Sequence, residues 1–88
     1  MKKLDIAEHL HSEEDIRCFL QDVLETGTAS DFVHAVGIAA RAKGMTAVAS
    51  QAGVTRASLY KALSADGQPA FETVFNVVRS FGLTLAVR

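Results

Sequence analysis

The stretch Met45–Leu63, MTAVASQAGVTRASLYKAL, constrains the fold more than any other part of the chain. Val48, Ala49 and Ala52 recur at helical spacing before Gly53, and Leu59, Ala62 and Leu63 do so after it. That pattern predicts two short helices, about residues 46–52 and 55–64, joined by a tight turn at Gly53. Where the helices touch, only a small residue such as Ala49 fits. At the turn the backbone takes positive φ, which costs any residue with a Cβ. Val54 is expected to fill the angle between the helices, and Thr55 to cap the second one. Ala49, Gly53, Val54 and Leu59 thus stand at the spacing of a helix-turn-helix, a motif whose second helix faces outward and can enter a DNA groove.

The flanking sequence also reads as helix. Ser12 with Asp15 three residues on resembles a capping box, with Glu13, Glu14 and Asp15 in the first turn. Ile16, Phe19, Leu20, Val23 and Leu24 form an apolar stripe, and Gly27 is expected to stop that helix. Thr28 and Asp31 repeat the capping pattern. Phe32, Val36, Ala39 and Ala40 then face inward, with Val33 and Ile38 at the edges. Gly37 costs about 1 kcal/mol against Ala inside a helix, so a close helix crossing is expected there. Gly44 should end this helix and Thr46 cap the next. Residues 64–69, SADGQP, read as a turn. Ala70–Phe81 reads as a last helix with Phe71, Val74, Phe75, Val78 and Phe81 inward, ended by Gly82. Leu83, Leu85 and Val87 alternate with polar or small residues, the pattern of a short C-terminal strand that needs a partner. Leu4, Ile6 and Leu10 suit either an extended arm or a single helical turn. The expected fold is all-α: a bundle of about five helices with an N-terminal helical extension and a short C-terminal strand. Residues 1–27 form an arm and helix packed on the core, and residues 28–88 the helix-turn-helix domain, in one compact unit.

Charge separates two parts of the chain. The 88 residues carry a net charge of −1, which by itself argues against a polyanionic partner. Residues 1–31 carry eight acids and three bases, residues 32–88 two acids and six bases, and no acid lies between Phe32 and Ala65. Phosphates feel local charge, because screening limits its reach to roughly 8–10 Å at physiological salt. The acidic first third is either a solvated helix face or a surface for a basic protein. The single cysteine excludes an intramolecular disulfide framework and fits a reducing compartment. Lys2 and Lys3 are not followed by an apolar signal segment, and no run is long enough to span a membrane. A cytoplasmic location is expected.

The candidate DNA-binding residues are Thr46, Gln51, Thr55, Arg56, Ala57, Ser58, Tyr60, Lys61 and Gln68. Thr55, Arg56 and Ala57 sit at the end of the second helix that points to base edges. Arg56 either takes a guanine bidentately or holds a phosphate, and Ala57 suits a thymine methyl. Lys61 lies one turn on, over the backbone. Tyr60 contacts the backbone or packs on the last helix, and Ser58 bonds locally. Thr46 and Gln51 belong to the first helix, whose N-terminus can approach phosphate. Gln68, with the amides near Ala70 and Phe71, forms a second phosphate clamp. Arg41 and Lys43 are expected on the solvated surface. His9, His11, His34 and Cys18 do not stand at a zinc-ligand spacing, and Cys18 is expected to be a buried small group. With no nucleophile–base set, no Gly-rich phosphate loop and no paired inward acids, neither an enzyme nor a cofactor is expected.

Residues 39–83 look like a lambda-repressor-type helix-turn-helix domain. More narrowly, DIAEHLHSEEDIRCFLQDVLETG, IAARAKGMTAVASQAGVTRASLYKALSADGQPAFETV and VVRSFGLTL resemble the addiction-module antidotes of the HigA-like antitoxin family. LYKALS and GQPAFETV are the most specific pieces. The resemblance covers nearly the whole chain. It implies a cytoplasmic, lambda-repressor-like homodimer that binds operator DNA, represses its own operon, and neutralises a cognate toxin, commonly RelE/ParE-like. Half-sites one helical turn apart, roughly 34–36 Å, would follow. Two alternatives remain: a stand-alone prophage-type transcriptional regulator, and a protein-interaction module that masks a toxin without significant DNA binding.

Overall fold

A hydroxyl side chain starts three of the helices. In the computed structural model, which describes residues 6–64 and 67–83, Ser12 opens α1 (Glu13–Thr26), Thr28 opens α2 (Ala29–Lys43) and Thr55 opens α4 (Arg56–Ala62). Each hydroxyl accepts the backbone N–H three residues on, at 3.1 Å in every case. At Thr28 the box is reciprocal, because Asp31 accepts the Thr28 N–H at 2.9 Å. At Ser12 it is not: Asp15 reaches one residue further back, to the His11 N–H at 3.0 Å. The remaining helices are α3 (Met45–Ala52) and α5 (Phe71–Ser80), and a single 3-10 turn spans Ile6–His9. The described residues are therefore five α-helices with no strand. Residues 84–88, most of the expected strand, lie outside the described residues, as does most of Leu4's neighbourhood in residues 1–5.

α2 is the central element. It packs on α1, α3 and α5, and α3 packs in turn on α4 and α5. Small residues on α2 permit this crowding: Ala35, Ala39 and Ala40 are buried beside Val36 and Ile38. Gly37 is where α2 meets the end of the helix-turn-helix stretch. A Cβ there would stand 3.1 Å from the Leu63 carbonyl oxygen, so the expected close crossing is real. The core draws on every helix, with Ile16 and Leu20 from α1, Val48 and Ala49 from α3, Leu59 from α4 and Val77 from α5.

Several expectations are corrected. Thr46 does not cap α3; the helix begins one residue earlier, with Gly44 at the cap and no side-chain hydrogen bond. Gly27 ends α1 as expected, in an extended conformation with φ −101° and ψ 178°. Its requirement is space: a Cβ would lie 2.9 Å from the Val23 carbonyl oxygen. Leu24 and Cys18 are exposed rather than buried, because α1 turns only Ile16 and Leu20 fully inward. On α5 the buried face is rotated from the expected one. Val77 and Phe81 are fully buried, whereas Phe71 is 72 % exposed. Phe71 lies beyond the width that α2 and α3 can cover, and Phe75 is half-buried at the margin.

Lys43 departs most from expectation. Its side chain is only 17 % exposed. The ammonium donates to the Ser80 carbonyl oxygen, lies 3.4 Å from Glu13 Oε1 and 3.5 Å from Gln51 Oε1, and stands over the Phe81 ring. One cation thereby joins α1, α3 and the end of α5 to α2. Its aliphatic stem is covered while its charge is satisfied at the rim.

Candidate nucleic-acid interface

α4 has only seven residues, too few to be stable alone, so tertiary contact must hold it. Leu59 and Leu63 are the anchors, at 0 % and 7 % exposure. Gly53 sets the angle from α3, with φ 75° and ψ 27°, and Val54 beside it packs on the core. Fixing Leu59 inward leaves Thr55, Arg56, Ala57, Ser58, Tyr60 and Lys61 exposed together. These six candidates share one short element. Between Met45 and Ala62 the charged side chains are Arg56 and Lys61, both cationic and both exposed.

Local hydrogen bonds orient several of these groups. The Thr55 hydroxyl donates to Ser58 Oγ at 2.8 Å while accepting the Ser58 N–H, so its proton is committed within the turn. Ser58 Oγ accepts that bond, which leaves its own hydroxyl proton uncommitted to Thr55. The Arg56 guanidinium lies over the Tyr60 ring, 5.4 Å from its centroid, and donates to the Tyr60 hydroxyl at 3.4 Å. That stack aligns the cation along the helix one turn beyond its own backbone. Tyr60 is 45 % exposed, and the groove it borders is formed with His34, Ile38 and Arg41 of α2 rather than with α5.

The other candidates lie apart from the α4 face. Gln51 is exposed and tied to Lys43; it borders a polar depression with Glu13, Arg79 and Ser80. Gln68 borders a different depression with Ser30, Asp31, His34 and Ser64. Thr46 is exposed in the first turn of α3. A window without acids in the chain is therefore not a volume without acids in space. Glu13 arrives from α1 and neutralises Lys43, and Asp31 reaches the surroundings of Gln68. Arg79 is a cation the sequence reading left out, and no local spacing marks it, since α5 brings it to Gln51 only through the fold. The leading amides of α3 have neither a capping side chain nor an acid in their first turn. Those of α5 also lack a side-chain cap but have Glu72 among them.

Among the described residues no group of three or more His, Cys, Asp or Glu side chains is placed to hold a metal ion. No described helix is long and apolar enough to cross a membrane.

Comparison with known proteins gives two matches. A family model described as "probable addiction module antidote protein" matches residues 1–88. A protein of Haemophilus influenzae described as an uncharacterized protein is 41 % identical over 88 residues, covering all of this chain and 91 % of its own length. No solved structure matches the chain.

Proposed function

We propose a function from one premise: the chain belongs to the family of probable addiction module antidote proteins. Membership implies a toxin partner. The finer reading is that the protein is a HigA-like antitoxin with a lambda-repressor-like domain. As a dimer it binds operator DNA through residues 45–63, represses its own operon, and neutralises its toxin by direct contact. The observation that carries DNA binding is the α4 outer face, where Arg56 and Lys61 stand exposed with no acid on α3 or α4. Arg56 is the base-reading or phosphate-holding group, Lys61 a phosphate contact, and Ser58 a donor toward the groove. The uncapped amides at Met45 and Thr46 suit a phosphate, since a helix N-terminus offers unpaired donors and a partial positive charge. The α5 start, with Glu72 in its first turn, suits one less well, and Gln68 is the weakest of the nine candidates because Asp31 lies beside it. Residues 1–26 are then the arm and helix offered to the toxin, with the exposed acids of α1 facing a basic, nucleic-acid-handling surface such as a RelE/ParE-like fold presents. Such a protein works in the cytoplasm and needs no catalytic group of its own.

One experiment with two arms tests this reading. It uses the full chain, the product of the adjacent reading frame, and the DNA upstream of both. The upstream duplex should bind more tightly than a shuffled duplex, with affinity falling as salt is raised. Arg56→Ala should weaken upstream binding by about 1–3 kcal/mol, a loss of roughly five- to 150-fold, if the contact is bidentate. Equal affinity for the two duplexes, or an unchanged isotherm for Arg56→Ala, would sink the repressor assignment. In the second arm the adjacent product should co-purify with the full chain and lose retention when residues 1–11 are removed. No co-purification would refute the antitoxin contact, and full retention by the truncated chain would move it away from the arm.

A further inference from the structure

Arg56 opens α4 and Tyr60 follows four residues on, one turn along the same helix face. The Arg56 guanidinium lies 5.4 Å from the Tyr60 ring centroid, and its Nη2 stands 3.4 Å from the Tyr60 hydroxyl oxygen. A hydrogen bond of that length is weak, so the ring face, not the hydroxyl, is the larger hold on the cation. Leu59 has no exposed surface and fixes the rotation of the helix, which keeps both Arg56 and Tyr60 outward. Tyr60 is 45 % exposed and borders the α2 groove with His34, Ile38 and Arg41. A ring half covered by the rest of the fold is a firmer platform for a cation than a side chain standing free in water.

We infer that Tyr60 is the positioning residue for Arg56: its ring directs the guanidinium before DNA arrives, and so decides the base edge that Arg56 meets. The inference rests on the reading of α4 as the DNA-contacting helix. An arginine side chain has several rotatable bonds, and fixing them at a base edge costs entropy. Where a ring already holds the group in the free chain, part of that cost is met before binding. The ring takes the face of the guanidinium, whereas a base edge is met by the N–H donors along its rim. The two contacts are compatible, and Arg56 need not leave Tyr60 to reach an acceptor. Lys61 carries a compact ammonium, which attracts a phosphate without a preferred plane. Arg56 is thus the directional cation of the face and Lys61 the non-directional one. Discrimination between sequences should follow Tyr60, while general affinity follows total charge. The Tyr60 hydroxyl has a competing role, direct contact with a phosphate, and removing that oxygen separates the two.

Binding of the full chain to the upstream duplex and to a shuffled duplex tests this, read as the ratio of the two affinities. Tyr60→Leu should lower that ratio roughly three- to tenfold, with the shuffled-duplex affinity and its salt dependence unchanged. Tyr60→Phe keeps the ring face and should lower it less than about twofold. In an Arg56→Ala background Tyr60→Leu should have no further effect, since the group it directs is gone. In the free chain the ring should shift the Arg56 Cδ proton resonances upfield, and Tyr60→Leu should abolish the shift. The wild-type shift and Tyr60→Phe test the contact without relying on the folding of Tyr60→Leu. The positioning is overturned by an unchanged ratio for Tyr60→Leu, by a loss as large without Arg56 as with it, or by unshifted Arg56 resonances. A Tyr60→Phe loss equal to that of Tyr60→Leu also overturns it, as the mark of a phosphate contact by the hydroxyl. All four results leave the DNA-binding reading in place. Equal affinity of the wild-type chain for the two duplexes, or Arg56→Ala that binds as wild type does, overturns that reading and the positioning with it.

Discussion

α4 and α5 are both short amphipathic helices with one buried face, yet their outer faces differ in kind. α4 turns Leu59 inward and leaves a polar, cationic surface. α5 turns Val77 and Phe81 inward and leaves Phe71 in solvent with Phe75 half-buried beside it. On α4 the one large aliphatic residue, Leu59, fits beneath the helix, while Ala57 and Tyr60 stay exposed. On α5 the apolar residues exceed what the neighbouring helices can cover, so some must face outward. A surplus of exposed apolar area on one helix points to a protein surface, and a deficit with positive charge points to a polyanion.

Substitutions on the two helices test this contrast. The largest effect is expected at Leu59, which has no exposed surface. Leu59→Ala should destabilise the fold by about 2–5 kcal/mol in urea denaturation, by lost burial and the cavity left behind. A loss under 1 kcal/mol would mean that α4 is not anchored where it is placed. Gly53→Ala should cost about 1 kcal/mol. A Cβ there meets nothing within 4 Å, so the cost is that of the left-handed backbone alone. The smallest effect is expected at Phe71: in dilute, monomeric protein Phe71→Ala should change stability by no more than about 0.5 kcal/mol. A large loss there would place Phe71 in the core and erase the difference between the two helices.

The helix-turn-helix stretch was legible because local rules and global packing agree in it. Ala49, Gly53, Val54, Thr55 and Leu59 each serve at the position their chemistry suggests. α5 was located along the chain but not in its rotation. Apolar periodicity marks a stripe, and Phe71, Val74, Phe75 and Val78 make one as regular as Val74, Val77, Val78 and Phe81 do. Choosing between them requires knowing where α2 and α3 lie. For the same reason Leu24 and Cys18 were assigned to an interior that α1 does not give them. At the candidate interface, the six residues around α4 could be named as a group because one helix carries them. The distance of Gln51 and Gln68 from that face depends on loops and crossings that no local pattern encodes.

Local sequence was enough to mark which segments become helices, where Ser12, Thr28 and Thr55 start them, where the left-handed turn at Gly53 falls, and that the cations gather after Asp31. These are short-range properties, set by side chains within a turn or two of the backbone they act on. Long-range packing set the placement of Lys43, which clasps Glu13, Gln51 and Ser80 instead of reaching for a phosphate, and the exposure of Phe71 on α5. Those outcomes depend on which surfaces the folded chain brings together. Charge and burial act through space, and residues far apart in the chain can then satisfy or expose one another.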